Sequence, residues 1–502
     1  MKLFRIKGGV HPDGNKGRTA HAAIEDLPLP ALLHIPLQQH IGSPAAPVVR
    51  RGDQVLKGQL LAHSQGMISA PVHAPTSGRI VGVGNYPAHH PSGLSVHTIT
   101  LQPDGADNWG EGEPPRTDPF TLAPEEIATR VAAAGIVGMG GATFPSAVKL
   151  NLRTRYSLDT LVINGAECEP YLTCDDRLMR EQGVAVIDGI RIMAYALGVG
   201  RIVIGIENNK PEAQAAMRAA AKEFPEIEVA GLPARYPMGS EKHLVQTLTG
   251  VETPARGLTA DIGVVVHNVA TAYAVHDALR YGRPLLSRVV TVSGGAVRLP
   301  KNLRVLIGTP VEDLISYCGG LSESPARLIS GGPMMGQPLP GTRVPVIKGS
   351  NGVLALTERE AANEESMPCI RCASCVKACP CGLVPLEMAN YIRSGDLEGA
   401  VGYGLMDCIS CGSCAFVCPS NIRLVQFFNY AKGELTARQR AEHQQNETRR
   451  LAEARTIRLE RQKQAKREAM ARRKKAQAEA KKAKEQAEKA RDAAQQSVRT
   501  GS

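Results

Sequence analysis

The sequence predicts a multidomain α/β protein: an all-β domain, a parallel α/β domain, a small α+β unit, a cysteine-rich helical module and a basic tail. Three observations carry that prediction. Continuous apolar runs alternate with helix-like stretches between about residues 118 and 283, the pattern of a parallel sheet buried on both faces. Eight of the 12 cysteines form two evenly spaced arrays between Cys369 and Cys418. The 502 residues are enough for several domains at roughly 100–200 residues each.

Charge separates the tail from the body. The formal net charge is +11, and residues 438–502 alone hold 20 basic and 9 acidic side chains, leaving 39 of each sign elsewhere. A nucleic-acid-binding body would carry its own basic face, so no nucleic-acid partner is expected. No run of about 20 apolar residues is present to span a bilayer. Met1-Lys-Leu-Phe-Arg-Ile-Lys7 lacks the apolar core of a signal peptide, so a cytoplasmic chain is expected. In a reducing compartment, clustered cysteines read as metal ligands, not disulfides.

Residues 1–118 are rich in Gly, Pro and His, with short β-type runs such as Gly78-Arg-Ile-Val-Gly-Val-Gly84. Gly52-Asp-Gln-Val-Leu-Lys-Gly-Gln-Leu-Leu-Ala62 followed by Ala74-Pro-Thr-Ser-Gly-Arg-Ile80 resembles the barrel-sandwich pattern of biotinyl and lipoyl domains. Those domains carry their cofactor on a hairpin lysine. The hairpin around Met67-Ile68-Ser69 has none, which leaves an arm-less barrel-sandwich domain or an unrelated small β-domain.

From 119 to 285, Pro124–Ala134 has helical spacing with an acidic first turn. Thr160–Asn164, Arg201–Ile206 and Ile262–Asn268 read as buried parallel strands, putting Glu207-Asn208-Asn209 and His267-Asn268 at carboxyl ends, where such sheets bind ligands. Residues 286–345 outline the α+β unit, with Val311–Cys318 as its helix and Cys318 as a core cysteine. The cysteine module spans 364–432. From 436 to 502, Ala, Gln, Glu, Lys and Arg predominate, which predicts a solvated helix or a disordered tail.

The two arrays are Cys369-x2-Cys372-x2-Cys375-x3-Cys379-Pro380 and Cys408-x2-Cys411-x2-Cys414-x3-Cys418-Pro419. Both follow the two-cluster [4Fe–4S] pattern, in which the fourth thiolate of each array ligates the other cluster. The expected ligand sets are therefore Cys369, Cys372, Cys375 and Cys418 for one cluster, and Cys408, Cys411, Cys414 and Cys379 for the second. Zinc takes four thiolates too, but needs neither the third closely spaced cysteine nor the Cys-Pro ending. Cys381 reads as a bystander.

Clusters of this kind carry single electrons and need a partner that feeds or drains them. Gly138-Met139-Gly140-Gly141-Ala142-Thr143-Phe144-Pro145 can bring backbone N–H groups close to a phosphate, with Lys149 nearby to neutralise charge. It is not a G-x-G-x-x-G fingerprint, because no strand leads into it. Asn164-Gly-Ala-Glu167-Cys-Glu169-Pro-Tyr171 puts two carboxylates at one strand end, either as a solvated turn or as the wall of a flavin-nucleotide pocket.

Gly138-x-Gly140-Gly141-Ala142-x-Phe144-Pro145-x3-Lys149 and Asn164-x2-Glu167-x-Glu169-Pro170 resemble the FMN- and NADH-binding subunit of respiratory complex I, over about residues 120–345. Tyr236-Pro-Met-Gly-Ser240-Glu241 and Val266-His-Asn268-Val-x-Thr271 match its later flavin motifs, with departures at Met139, Ser240 and His267. The whole chain, including the opening Phe4-x3-Gly8-Gly9-x-His11-Pro12, is similar to the C-subunit family of the Rnf (Rsx) ion-translocating electron transport complexes.

The resemblance implies a multidomain α/β fold made of an N-terminal barrel-sandwich domain, a Rossmann-like flavin/NADH domain, a β-grasp (SLBB-like) unit and a ferredoxin-like module with two [4Fe–4S] clusters. It implies non-covalent FMN, with Gly138, Gly140 and Gly141 presenting amides and Lys149 near the phosphate or ring edge. Asn164 and Asn268 would bond the flavin, Phe144 would stack on the dinucleotide, Glu169 and Glu241 would orient the nicotinamide, and Glu167 would be a further cofactor-binding residue. The implied function is NADH oxidation by a peripheral subunit on the cytoplasmic face of the bacterial inner membrane. Electrons would pass to a second iron–sulfur subunit and at last to ferredoxin or flavodoxin. A flavin-free electron-transfer scaffold, or an electron supplier to a redox-sensing transcription factor, are the competing readings. The basic tail could lie near anionic lipid.

Overall fold

The structure is a computed structural model that describes residues 2–499 apart from 111, 113, 115 and 362–364, with side chains described to residue 494. The first residue expected of the cysteine module, 364, and the last three of the tail fall outside the described residues. The chain divides into two units, residues 1–429 and 430–502.

In the first unit, the N-terminal strands form two antiparallel sheets. One has the order 33–36, 95–103, 78–87, 54–55, and the other has the order 46–47, 60–63, 72–73. Leu33, Ile35, Leu61, Ile80, Ile99 and Leu101 are fully buried in one cluster, the expected core of two facing sheets. The hairpin between Leu60–His63 and Val72–His73 carries Met67 at its exposed tip, 84% accessible.

The α/β domain holds a four-stranded, all-parallel sheet in the order Ile227–Leu232, Arg201–Glu207, Thr160–Asn164, Val264–Asn268. Successive side chains alternate between its faces. Leu161, Ile163, Ile204 and Val265 pack on helices Pro124–Ala133, Gly183–Leu197 and Val269–Tyr281. Val162, Val203, Val264 and Val266 face helix Glu241–Thr249 together with Ile6 of the N-terminal segment. The fourth strand, Ile227–Leu232, is an edge strand in which only Ile227, Ala230 and Leu232 are buried and which carries Glu228 and Gly231, so it shows no continuous apolar run.

The sheet of the small unit, expected over residues 286–345, also takes in strands from outside that range. Its six strands run Ile24–Asp26, Lys301–Leu306, Ser287–Ser293, Gly352–Leu356, Arg327–Ser330, Gln337–Pro338. Gly352–Leu356 lies beyond residue 345 and pairs with both Ser287–Ser293 and Arg327–Ser330, while Ile24–Asp26 is lent by the N-terminal segment. Helix Val311–Tyr317 packs with fully buried Cys318 in its core. Lys348, fully buried, joins domains by donating to the carbonyls of Pro71 and Gly135, 2.7 Å each.

The cysteine module is built of short helices, Ser374–Ala378, Pro385–Arg393, Leu397–Gly402 and Ser413–Phe416. The second unit is helical through residue 499, as part of helix Leu424–Arg499, and every side chain from 437 to 494 is exposed. Ala, Glu, Lys, Arg and Gln are strong helix formers, and without an apolar stripe the helix has no face to bury.

Candidate flavin and iron–sulfur sites

The glycine loop closes on itself. The Gly138 N–H donates to the Phe144 carbonyl (2.8 Å) and the Thr143 N–H to the Gly138 carbonyl (3.1 Å). This consumes the Gly138 amide inside the loop, so it is not presented to a ligand. Gly140 and Gly141 both line a cavity of about 530 Å³ at the carboxyl ends of the parallel strands, within the usual size range of cofactor pockets. A Cβ at Gly140 would sit 3.4 Å from Asn268 Cβ. Met139 turns inward, 3% exposed in the core beneath the loop, and its carbonyl accepts from buried Arg288 at 3.2 Å.

The loop after Thr160–Asn164 supplies the opposite wall. Asn164 Oδ1 accepts from the Ala166 N–H (3.1 Å), and its Nδ2 donates to the Gly239 carbonyl (2.8 Å). Glu167, at φ 48°, turns its carboxylate onto the start of helix Cys174–Glu181, accepting from the N–H groups of Asp175 (2.7 Å) and Asp176 (3.3 Å). Glu169 accepts from the Met334 and Met335 N–H groups at 3.0 and 2.8 Å, and a Cβ at Gly332 would fall 2.3 Å from its carboxylate. Burial pushes the Glu169 carboxyl up to about 7, against the pull of those two N–H groups. Asn268 caps helix Val269–Tyr281 through the Ala270 N–H (2.8 Å) and donates to Asp175 Oδ2 at 2.6 Å.

Asn164, Glu167, Glu169 and Asn268 thus meet Gly140 and Gly141 around one cavity. Phe144, Lys149 and Glu241 do not line it. Lys149 Nζ is held by Glu241 (2.8 Å) and the Val266 carbonyl (3.0 Å), and Glu241 also accepts from Thr259 (2.8 Å). Opposite charges in a half-buried setting satisfy each other first. Glu207, at another strand end, is 2% exposed and paired with buried Lys210 at 3.0 Å instead of facing the cavity. His267 is buried on the sheet and outside the lining.

Sequence reasoning missed several residues here. Lys16, from the N-terminal segment, donates to the carbonyls of Glu167 (3.0 Å), Glu169 (2.9 Å) and Leu172 (2.5 Å), pinning the loop from behind. A lone Lys in a Gly/Asn stretch about 150 positions upstream gives no local signal. Asp175 and His89 also line the cavity, as do Cys168 and Tyr236 from the motifs already singled out; for Asp175 an acidic first helical turn is the available cue.

The cysteines gather in two cradles. Cys369, Cys372, Cys375 and Cys418 line one hollow, and Cys379, Cys408, Cys411 and Cys414 line another. None is in a disulfide. In each array residues between the first three cysteines take left-handed φ values, Arg371 (54°) and Ala373 (57°) in one, Ser410 (54°) and Gly412 (81°) in the other, curling the loop around its hollow. The N–H groups of Arg371, Leu383 and Ser410 point at Sγ of Cys369, Cys379 and Cys408, each at 3.4 Å. Two sets of four thiols with amide–sulfur contacts fit [4Fe–4S] cubanes. Cys381 lines the second hollow beside Cys379.

The module is strapped to the cavity of Gly140 and Gly141. The Gly9 N–H donates to the Ala378 carbonyl (2.8 Å), and Val10 and Tyr236 exchange backbone bonds (2.8 and 2.9 Å). Tyr236, 2% exposed, lines that cavity while its hydroxyl donates to the Cys411 carbonyl at 2.6 Å. Ile409 lines both that cavity and the Cys379/Cys408/Cys411/Cys414 hollow.

Known proteins match this arrangement segment by segment. The RnfC barrel sandwich hybrid domain matches residues 4–106, the Nuo51 FMN-binding domain 131–277, the SLBB domain 289–338 and the 4Fe–4S dicluster domain 368–422. Over 448 residues the chain is 60% identical to the C-subunit of the ion-translocating oxidoreductase complex of Rhodobacter capsulatus, covering 88% of this chain and 86% of the relative. The chain belongs to the C-subunit family of ion-translocating oxidoreductase complexes.

A second member of that family, the C-subunit of the proton-translocating ferredoxin:NAD(+) oxidoreductase complex of Clostridium ljungdahlii, is 47% identical over 397 residues, 79% of this chain and 86% of the relative. A solved NAD+-reducing [NiFe]-hydrogenase in the H2-reduced state aligns with TM-score 0.43 and 19% identity over 64% of this chain and 63% of that one. As a member of the C-subunit family, this protein is an oxidoreductase component of an ion-translocating complex, with an FMN-binding domain and a two-cluster [4Fe–4S] module. Among the described residues no helix is long and apolar enough to cross a membrane.

Proposed function

We propose that this protein oxidises NADH at an FMN held in the cavity between the glycine loop and the Asn164–Leu172 loop, and passes the electrons one at a time through its two clusters. A flavin accepts a hydride and releases electrons singly, which joins a two-electron donor to one-electron carriers. Gly140 and Gly141 offer backbone amides there, and Asn164 and Asn268 are anchored side chains at paired strand ends. Glu167 and Glu169 form the acidic wall. Gly138, Phe144 and the Lys149–Glu241 pair shape the surroundings from outside the cavity.

The observation that carries this reading is the shared wall: Ile409 belongs to the flavin cavity and to one cysteine hollow at once, and Tyr236 ties that cavity to Cys411. The hollow of Cys379, Cys408, Cys411 and Cys414 is therefore the first acceptor. That of Cys369, Cys372, Cys375 and Cys418, where Cys369 and Cys372 are exposed, is the exit. A second iron–sulfur subunit on the cytoplasmic face would take the electron there, with ferredoxin or flavodoxin beyond it.

The test is anaerobic addition of NADH to the chain loaded with FMN, iron and sulfide. Flavin bleaching and a reduced-cluster EPR signal are expected. With Cys372→Ser the cluster beside the flavin should still be reduced; with Cys411→Ser electron flow should stop at the flavin. A fully oxidised protein in excess NADH would end this reading.

A further inference from the structure

A second cavity, of about 560 Å³, is lined by residues of helix Cys174–Glu181, the α/β domain, the small sheet and the N-terminal domain. Tyr273, Asp277, Arg304 and Trp109 are among its lining residues. Of the described residues, Asp175 alone lines both this cavity and the flavin cavity.

The position of Asp175 is over-determined. Its N–H is held by Glu167 (2.7 Å) and its Oδ2 by Asn268 Nδ2 (2.6 Å), both of which face the flavin cavity. The charged and titratable groups around it are Glu167 on the loop, Cys174 on its own helix, Lys210 beyond the strand ends and Arg288 from the small sheet. On the second-cavity side it faces the compartment that holds Asp277, Arg304 and Tyr273.

Oxidising NADH through one-electron clusters leaves a proton behind. NADH yields NAD+, two electrons and one proton; each oxidised cluster takes one electron and no proton. The proton must leave the flavin site, and the second cavity meets that site at Asp175. We infer that Asp175 is the proton relay of the flavin site, taking the proton from the flavin side and releasing it to water in the second cavity. In that step the flavin N–H bond breaks and an O–H bond forms on the Asp175 carboxylate. The O–H then breaks toward water, and the carboxylate is restored. The electrons go to the two clusters, so charge and atoms balance, and the reverse direction uses the same path.

Two further facts agree. Burial, followed by the charge of Glu167, pushes the Asp175 carboxyl up to about 7, against the pull of Asn268, Arg288 and Lys210. A relay that works near neutral pH needs such a value. The neighbouring Asp277 carboxyl is also pushed up by burial, inside the second cavity.

This inference rests on the NADH–FMN–cluster reading, and the experiment separates the two. In the full chain loaded with FMN and both clusters, NADH is mixed anaerobically, and flavin bleaching and cluster reduction are followed separately across pH. Absence of bleaching in the wild type would defeat the functional reading. With bleaching present, Asp175→Asn should lower the ratio of cluster reduction to bleaching rate about 100-fold and abolish its inflection near neutral pH. Asp175→Glu should restore both. An Asp175→Asn ratio and pH profile equal to wild type would overturn the relay. Should Asp175→Asn fail to retain flavin, infrared difference spectra of the wild type with carbon-13-labelled aspartate decide: a labelled carboxyl signal on NADH addition is expected, and its absence overturns the proposal.

Discussion

Glu169 sits between two opposing forces: a low-dielectric wall that favours its neutral form and two backbone N–H groups that favour its charge. Burial wins, and the carboxyl moves from 4.5 to about 7. The sign of the stability effect follows from proton counts. Between those values the folded chain holds a proton that the unfolded chain has lost, so this group makes stability fall as pH rises through the window. Thermal unfolding of the flavin-free protein should therefore show, for Glu169→Gln, a smaller loss of Tm between pH 4.5 and about 7 than the wild type. An unchanged slope would mean that Glu169 is solvated and charged throughout. Charged side chains that look alike in the sequence diverge at this scale: Glu241 and Glu207 are neutralised by lysines, while Glu167 caps a helix.

At the scale of elements, the N-terminal strap decides how the cysteine module meets the flavin domain. Gly8, at φ 58°, passes so close to the module that a Cβ would lie 2.3 Å from the Cys379 carbonyl oxygen. A side chain there meets backbone strain of about 1–2 kcal/mol and a contact that backbone cannot relieve. Gly8→Val is expected to lower the iron content of the cluster bound through Cys379 while leaving flavin content close to wild type; iron and flavin assays on the purified variant check this. The Phe4-x3-Gly8-Gly9 motif is visible in the sequence, but its purpose is not, because its partner lies about 370 residues away. The edge strand Ile227–Leu232 gives no sequence signal for a related reason: half of its residues are only partly buried, where the other three strands of the sheet are buried almost continuously.

At the scale of the molecule, the body is electrically balanced and the excess charge is exported to a helix whose side chains are all exposed from residue 437 to 494. Such a helix gains nothing from burial, and we propose that its 20 basic residues adhere to an anionic surface in a salt-sensitive way, at about 1 kcal/mol per cation. Truncation before Thr436 should leave flavin and iron content unchanged and abolish co-sedimentation with anionic vesicles at low salt. Loss of either cofactor would contradict the independence of the tail.

What the sequence alone determined is whatever is encoded by short-range spacing: the two cysteine arrays, the buried strand Thr160–Asn164, the strand expected over Ile262–Asn268, which begins at Val264 after a left-handed Gly263, the Asn164–Glu169 loop and the tail. Periodicity and ligand spacing are local, so they survive without a fold. The tertiary structure decided which of the nominated groups share one space. It set Lys149 and Glu241 against each other outside the cavity and brought Lys16 behind the flavin loop. It inserted Gly352–Leu356 into the small sheet and put Asp175 between two cavities. Those outcomes depend on which charges find partners and which surfaces close when distant segments pack, and neither is written in the spacing of neighbours.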